Sequence, residues 1–259
     1  MILRLVAAIA CAAALWSGAP LVVAQAASSL PPELTRSIAY YATLTSYADS
    51  GTVTVDTGGF VDKGRFTTYF RRASRDLFFD FQSLTSVTVK TGHTIDMRAH
   101  RVVLWMFRGA MQTYQIPTPQ PLQQVGSDAG AQVRALSGLS HPTSGAAIMI
   151  PSLLYSQARL PSAILQIENA GVAGVEPVNG RPCHRVSGTA AAYYPNGKRT
   201  GVRPVTVWID TETQLVRRVV EDTPEGYGDG KATLRITFDY QPQANPAIDD
   251  ARFQFKVPE

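Results

Sequence analysis

The side chains able to do covalent or metal chemistry are few and scattered. The four histidines are His93, His100, His141 and His184. His93 and His100 fall on opposite strands of an expected hairpin, and the neighbours Cys183 and His184 must point to opposite faces of a strand. A zinc-type centre needs three or four converging ligands, and no local spacing here supplies them. Neither a G-x-S-x-G elbow nor an H-E-x-x-H helix is present. "GDGKAT" has a Gly-Lys pair but lacks the upstream glycine of a phosphate loop. Ala232 stands where the metal-binding hydroxyl would be, so the segment reads as a hairpin loop. A pair of carboxylates could hydrolyse a glycoside, yet Asp80, Asp96, Glu168 and Asp210 belong to different segments. An enzyme assembled from residues that meet only in space stays open as a third reading of function. No metal and no cofactor is called for.

What the sequence has in quantity is apolar and aromatic surface. Phe66, Phe78, Phe79, Trp105, Phe107, Tyr114, Tyr155, Trp208 and Phe238 come from many segments. They fit an ordinary core, and they also fit a curved sheet whose concave face holds a cavity for an apolar ligand.

The elements that must carry them follow from periodicity. "LPPELTRSIAYYATLTSY" places Leu34, Ile38, Tyr41 and Thr45 at helical spacing. Pro31 and Pro32 suit the first turn, and Glu33 suits the positive end of the helix dipole, giving a helix over 32–45. From Tyr47 the period becomes two, and "GTVTVDTGGFVDKGRFTTYFRR", "RDLFFDF", "SVTVKTG", "HTIDMRAH", "RVVLWMF" and "MQTYQIP" read as strands of an antiparallel meander. "RVVLWMF" is apolar on both faces, so it should be covered on both sides. A Pro, Gly, Ser and Ala-rich stretch follows, with helices over 129–139 and 146–157. Pro151 starts or kinks the second. Ile148, Met149, Ile150, Leu153, Leu154 and Tyr155 need a surface to lie on.

Strands then resume. Asn179-Gly180 and Asn196-Gly197 are hairpin turn signals. In "VTVWIDTETQLVRRVVED", Val205, Val207 and Ile209 alternate with Thr206, Trp208 and Asp210 across a turn at 210–213. The expected fold class is α+β, one large curved antiparallel sheet covered by an N-terminal helix and a helical lid insertion at about 128–158.

The 259 residues carry 24 Lys and Arg against 20 Asp and Glu, a mild net charge of +4. Nucleic-acid binding usually needs clustered basic residues, and they are absent. Residues 1–26 read as a secretory signal peptide: Arg4, an apolar run from Leu5 to Trp16, and small residues ending in Ala24-Gln25-Ala26. Gly18 and Pro20 interrupt a run already short for a membrane span. Cys11 lies too near the start for a lipid-modified cysteine. Cleavage between Ala26 and Ala27 leaves one domain over 27–259 with no later apolar span, a soluble periplasmic chain. Cys183 is then the remaining thiol, without an internal disulfide partner, and reads as a buried strand residue.

The order of segments resembles the LolA/LolB-like superfamily of periplasmic lipoprotein carriers, which also includes RseB-type stress sensors. The segments that carry it are the opening helix, "GTVTV", "YFRRASRDLFFDF", "VKTGHTIDMRAHRVVLWM", "IPSLLY", "VNGRPCHRVS", "VTVWIDTETQLVRRVVED" and "FDYQPQANPAIDDARFQFKVP". The resemblance implies an unclosed β-barrel with helices as a lid over an apolar cavity. It also implies an arginine that controls lid opening. Arg71 and Arg72 partly match that position, but Ala73 replaces the following proline. The second arginine of the pattern is lost among Leu77, Phe78 and Phe79, which puts the lipoprotein cycle in doubt.

The expected ligand-binding residues are Trp105, Phe107, Tyr114, Met149, Leu153, Leu154, Tyr155 and Trp208, bordering one pocket between strands and lid. A one-residue register slip would invert both tryptophans. The expected function is a non-enzymatic carrier or binder of lipids, acyl chains or acylated proteins. The alternative is a sensor or interaction module of the cell envelope that binds a partner protein.

Overall fold

A computed structural model describes residues 30–88, 94–96, 100–115, 118–119, 123–124, 128–155, 162–193, 199–223 and 234–256. The expected signal peptide, His93 and the hairpin loops at Asn196-Gly197 and "GDGKAT" lie outside these residues.

Helix α1, Pro32–Thr43, opens the described chain. Pro32 fits its first turn, where no backbone N–H is needed. The helix stops where Leu44 turns extended. It buries Leu34, Ser37 and Tyr41. Strands β1 (Ser46–Asp56), β2 (Val61–Arg71), β3 (Asp76–Ser83), β6 (Arg101–Phe107) and β7 (Ala110–Gln115) form the first half of the sheet. The short strands β4 (Ser86–Thr88) and β5 (Thr94–Asp96) pair apart from it, and β8 (Thr118–Pro119) and β9 (Gln123–Gln124) pair with β7. After the lid come β10 (Ile167–Val178), β11 (Arg181–Tyr193), β12 (Arg199–Asp210), β13 (Val216–Thr223), β14 (Leu234–Tyr240) and β15 (Gln243–Ala244).

All strand pairs among the described residues are antiparallel. The sheet runs β10-β11-β12-β13-β14-β1-β2-β3-β6-β7-β8 and does not close. Its halves join where β1 pairs β14. This is the expected α+β class.

One face carries the core. Val53, Phe66, Phe70, Phe79, Phe81, Leu104, Val205, Val207, Val219, Phe238 and Tyr240 alternate inward and cluster. Close packing at the centre depends on two glycines: the Phe66 ring lies over Gly51 and the Phe81 ring over Gly64, where a Cβ would collide. The β12–β13 hairpin in the second half turns on Asp210. Its Oδ1 accepts the N–H groups of Glu212 and Thr213, both at 3.0 Å, and Arg181 and Arg217 pair with Oδ2. Asp210 is therefore a structural carboxylate. Cys183 is free and buried on β11, and burial pushes its thiol up. Among the described residues no helix is long and apolar enough to cross a membrane.

Candidate functional site: a lidded cavity on the concave face

The lid begins with helix α2, Ala129–Gly138. Asp128 caps it, accepting from Gly130 N at 3.2 Å and Ala131 N at 2.8 Å. Such a cap offsets N–H groups that the first turn leaves unpaired. The chain then bends through Ser144 (φ 51°) and Gly145 (φ 90°). Glycine suits that φ, and an added Cβ would sit 3.3 Å from the Phe238 ring. Thr143 braces the bend: its hydroxyl donates to Leu139 O at 2.7 Å and accepts Ala147 N–H at 3.2 Å. Two single-turn helices follow, α3 (Ala146–Met149) and α4 (Pro151–Leu154). All of 146–155 is buried.

The lid does not touch the sheet everywhere. Between it and β1, β2, β12, β13 and β14 lies a cavity of about 450 Å³. Val55, Phe60, Ile148, Met149, Ala163, Leu234, Ile236 and Phe238 give it an apolar lining. The cavity exists because the lid presents small residues there, Ser140, Ser144, Gly145 and Ala163. Asp62, Arg203 and Glu221 add charge to the walls. Arg203 Nε lies 3.1 Å from Glu221 Oε2, and Glu221 is 4% exposed. Burial pushes the Glu221 carboxyl up, and the Arg203 charge opposes that rise.

At the other end of the concave face, α1 fills the space. Ser37 Oγ donates to Gln214 O at 2.8 Å, and the Tyr41 hydroxyl accepts Val216 N–H at 3.1 Å. Arg72 binds three carbonyls at once: Leu44 O (2.6 Å), Tyr41 O (2.7 Å) and Leu154 O (3.1 Å). One guanidinium thereby ties the end of α1 to the end of α4. Asp49 is buried beneath them and accepts the Tyr47 hydroxyl at 2.8 Å. Burial pushes its carboxyl up to about 6, and hydrogen bonds from Tyr47 and Thr68 only partly oppose this.

The expected ligand-binding residues divide among three places. Met149 lines the cavity. Leu153, Leu154 and Tyr155 belong to the lid's packed end, where Tyr155 meets Phe70 edge-on at 5.2 Å and its hydroxyl donates to Arg75 O at 3.3 Å. The other four lie on the outer face of the sheet. Val102, Leu104 and Met106 take the inward positions of β6, so Trp105 and Phe107 point away from the lid. Tyr114 is opposite Val103 and shares that outer face. The β12 alternation turns Trp208 outward, where its indole N–H donates to Glu176. The structure therefore does not bring the two tryptophans and the lid into one pocket. β6 is indeed covered on both sides, but the outer cover is the C-terminal segment. Phe255 packs edge-on against Trp105 at 4.9 Å, and a second groove there runs between Phe78, Arg101, Trp105 and residues 249–256.

Sequence reasoning missed Arg203, Glu221 and Ile236 among the cavity walls, and named Phe238 only within the general aromatic surface. The one sign is that Arg203 shares a face with Val205, Val207 and Ile209, which in sequence alone fits a solvent-facing charge equally well. Of the candidate carboxylates, Asp80 pairs with Arg101 at 2.8 Å on the outer face, far from Asp210 in the strand order.

No protein-family model matches the chain, and no curated protein does. Several solved structures are similar. LprF from Mycobacterium bovis matches at 15% identity and TM-score 0.45, over 84% of this chain and 93% of that one. The lipoprotein LppX of Mycobacterium tuberculosis matches at 17% identity and TM-score 0.42, over 84% and 95%. The MucA/MucB complex of Pseudomonas aeruginosa matches at 12% identity and TM-score 0.40, over 87% of this chain and 60% of that one. At such scores these likenesses decide neither family nor ligand.

Proposed function

We propose that this chain is an exported, periplasmic, non-enzymatic binder or carrier of lipids or acylated proteins, with an acyl chain held in the cavity between lid and sheet. The observation that supports it is the apolar cavity itself, whose volume of about 450 Å³ falls within the ~300–1,000 Å³ of pockets that enclose small ligands. Burial of the chain would supply ~0.8 kcal/mol per CH₂. The lid rests on that region through apolar contacts, so it can lift at smaller cost than a paired strand. Native mass spectrometry of the exported protein tests this. Expected are adducts of acyl-chain mass, affinities that rise with chain length, and loss of both in Ile148→Asp with the fold kept.

A second reading, an interaction module, has its own observation. Among the described residues strand β10 is an edge of the sheet, with Val172 45% and Val175 58% exposed. Such an edge can accept a strand from a partner. Protein without lipid adducts and without chain-length dependence would favour it.

A further inference from the structure

The cavity wall contains a feature that holding a hydrocarbon chain does not require. Around it the inward positions are apolar: Val55 on β1, Val219 on β13, Val205 on β12 and Ile236 on β14. Glu221 is set among them, directly opposite Val205 on one side and Ile236 on the other. An ion pair buried in such a wall is often no more stabilising than apolar residues of the same volume. The pair is also incomplete. Arg203 Nε is 3.1 Å from Glu221, yet this buried N–H is not aligned for a hydrogen bond with any described residue. Across the cavity, Asp62 on β2 adds a second carboxylate to the lining.

We infer that the cavity selects an acyl lipid with a zwitterionic head, one phosphate and one ammonium on a single group. The inference rests on the acyl-binding reading and adds the head to it. Arg203 offers its guanidinium to the phosphate, and Ser140 and Ser144 on the lid line the same cavity. Glu221, beside Arg203, faces the ammonium, while Asp62 stands three strands away along the register Glu221, Ile236, Val55, Asp62, out of reach of the same head. A head with only a negative charge would leave Glu221 without an ammonium. A head with no charge would leave the buried pair as poorly satisfied as it is now.

The test compares four ligands of equal chain length below their micelle concentrations: lysophosphatidylethanolamine, lysophosphatidylcholine, lysophosphatidylglycerol and palmitate. Affinities are read by calorimetry on the exported protein. Pairing of the ammonium with Glu221, by N–H donation from ethanolamine and by charge alone from choline, predicts that the two zwitterionic lipids bind at least about tenfold tighter than the two anionic ones. The double variant Arg203→Gln/Glu221→Gln removes both charges at similar volume and should bring all four within about threefold, with chain-length dependence retained. Asp62→Asn, out of reach of the head, should leave the preference for the zwitterionic lipids in place. Equal affinities in the unaltered protein, or a preference that survives the double variant or is lost in Asp62→Asn, would overturn the headgroup assignment and leave acyl binding standing. Failure of all four to bind would instead sink the acyl-binding reading, and the headgroup assignment with it.

Discussion

The two ends of the concave face each bury one carboxylate, and they do so to opposite effect. At the α1 end Asp49 lies under Tyr41, Tyr47 and Tyr240, with the Tyr47 hydroxyl and Thr68 as donors. Large side chains fill the space, and Arg72 ties the covering helices together. At the other end Glu221 meets one arginine and a cavity. The sheet beneath is continuous, so the difference comes from the cover. Leu34, Tyr41 and Tyr155 reach into the sheet, whereas Ser140, Ser144, Gly145 and Ala163 stand off. Side-chain volume in the cover decides which end is core and which end is pocket.

Truncation should expose this difference most strongly. Phe70 is 1% exposed and packs on Tyr155. Phe70→Ala should cost ~3–5 kcal/mol, because the tight surroundings cannot collapse into the hole. Ile148 borders space that is already empty, so Ile148→Ala should fall at or below the ~2 kcal/mol lower end of such changes. Urea midpoints at unchanged m-value measure both. Equal losses would mean that the two ends are packed alike.

Asp49 gives the next largest effect. Its carboxyl rises from 3.8 to about 6 in the fold. The folded state therefore holds this proton more tightly than the unfolded chain. The resulting stability is fully present below pH 3.8 and is lost as the pH rises through about 6. At neutral pH the ionised group costs up to ~3 kcal/mol. Asp49→Asn should then raise the melting temperature at pH 7.5, leave it little changed at pH 4, and flatten the profile between. A variant less stable than the parent at pH 7.5 would show that the charge is better satisfied than the Tyr47 and Thr68 contacts imply.

Much of this was legible in the residues, and the failures have physical causes. Helix α1 was, because Leu34, Ile38 and Tyr41 keep helical spacing after a proline start, though the helix ends at Thr43 and not at 45. The outward turn of Trp208 could have been read from Val205, Val207 and Ile209 alternating against it, yet Trp208 was expected in the pocket. The face of Trp105 was not legible: "RVVLWMF" is apolar at every position, so period two cannot choose a face. Its outer cover, "DDARFQF", has no regular period and comes from the far end of the chain. Arg203 and Glu221 were hidden for another reason. A charged residue at an inward position looks like a solvent-facing one until the neighbouring strands are in place.

Arg72 carries a smaller effect. Hydrogen bonds to a charged donor contribute ~1.5–3 kcal/mol, and Arg72→Ala frees three carbonyls at the packed end. Stability should fall by about 2 kcal/mol. Amide exchange should quicken at Leu154, Tyr155 and the last turn of α1, with little change at 145–148. Exchange rising equally along 145–155 would show that the lid moves as one body, with this arginine as its latch.

The smallest expected effect is a null one, and it separates the two faces of the sheet. The chain has three tryptophans, of which Trp16 lies in the expected signal peptide. Trp105 and Trp208 both point outward, so a ligand in the cavity has the thickness of the sheet between it and either indole. Saturating lipid should therefore leave the emission of the exported protein nearly unchanged even when calorimetry reports binding. The emission has its own control. Trp105 is only 5% exposed, while Phe255, which covers it, is 39% exposed. Phe255→Ala should open Trp105 to water and shift emission to the red with a small cost in stability. A saturable blue shift on adding lipid would place the ligand in the outer groove beside Trp105, Arg101 and Lys256 instead. If Phe255→Ala also abolished that shift, the concave cavity would no longer be the binding site.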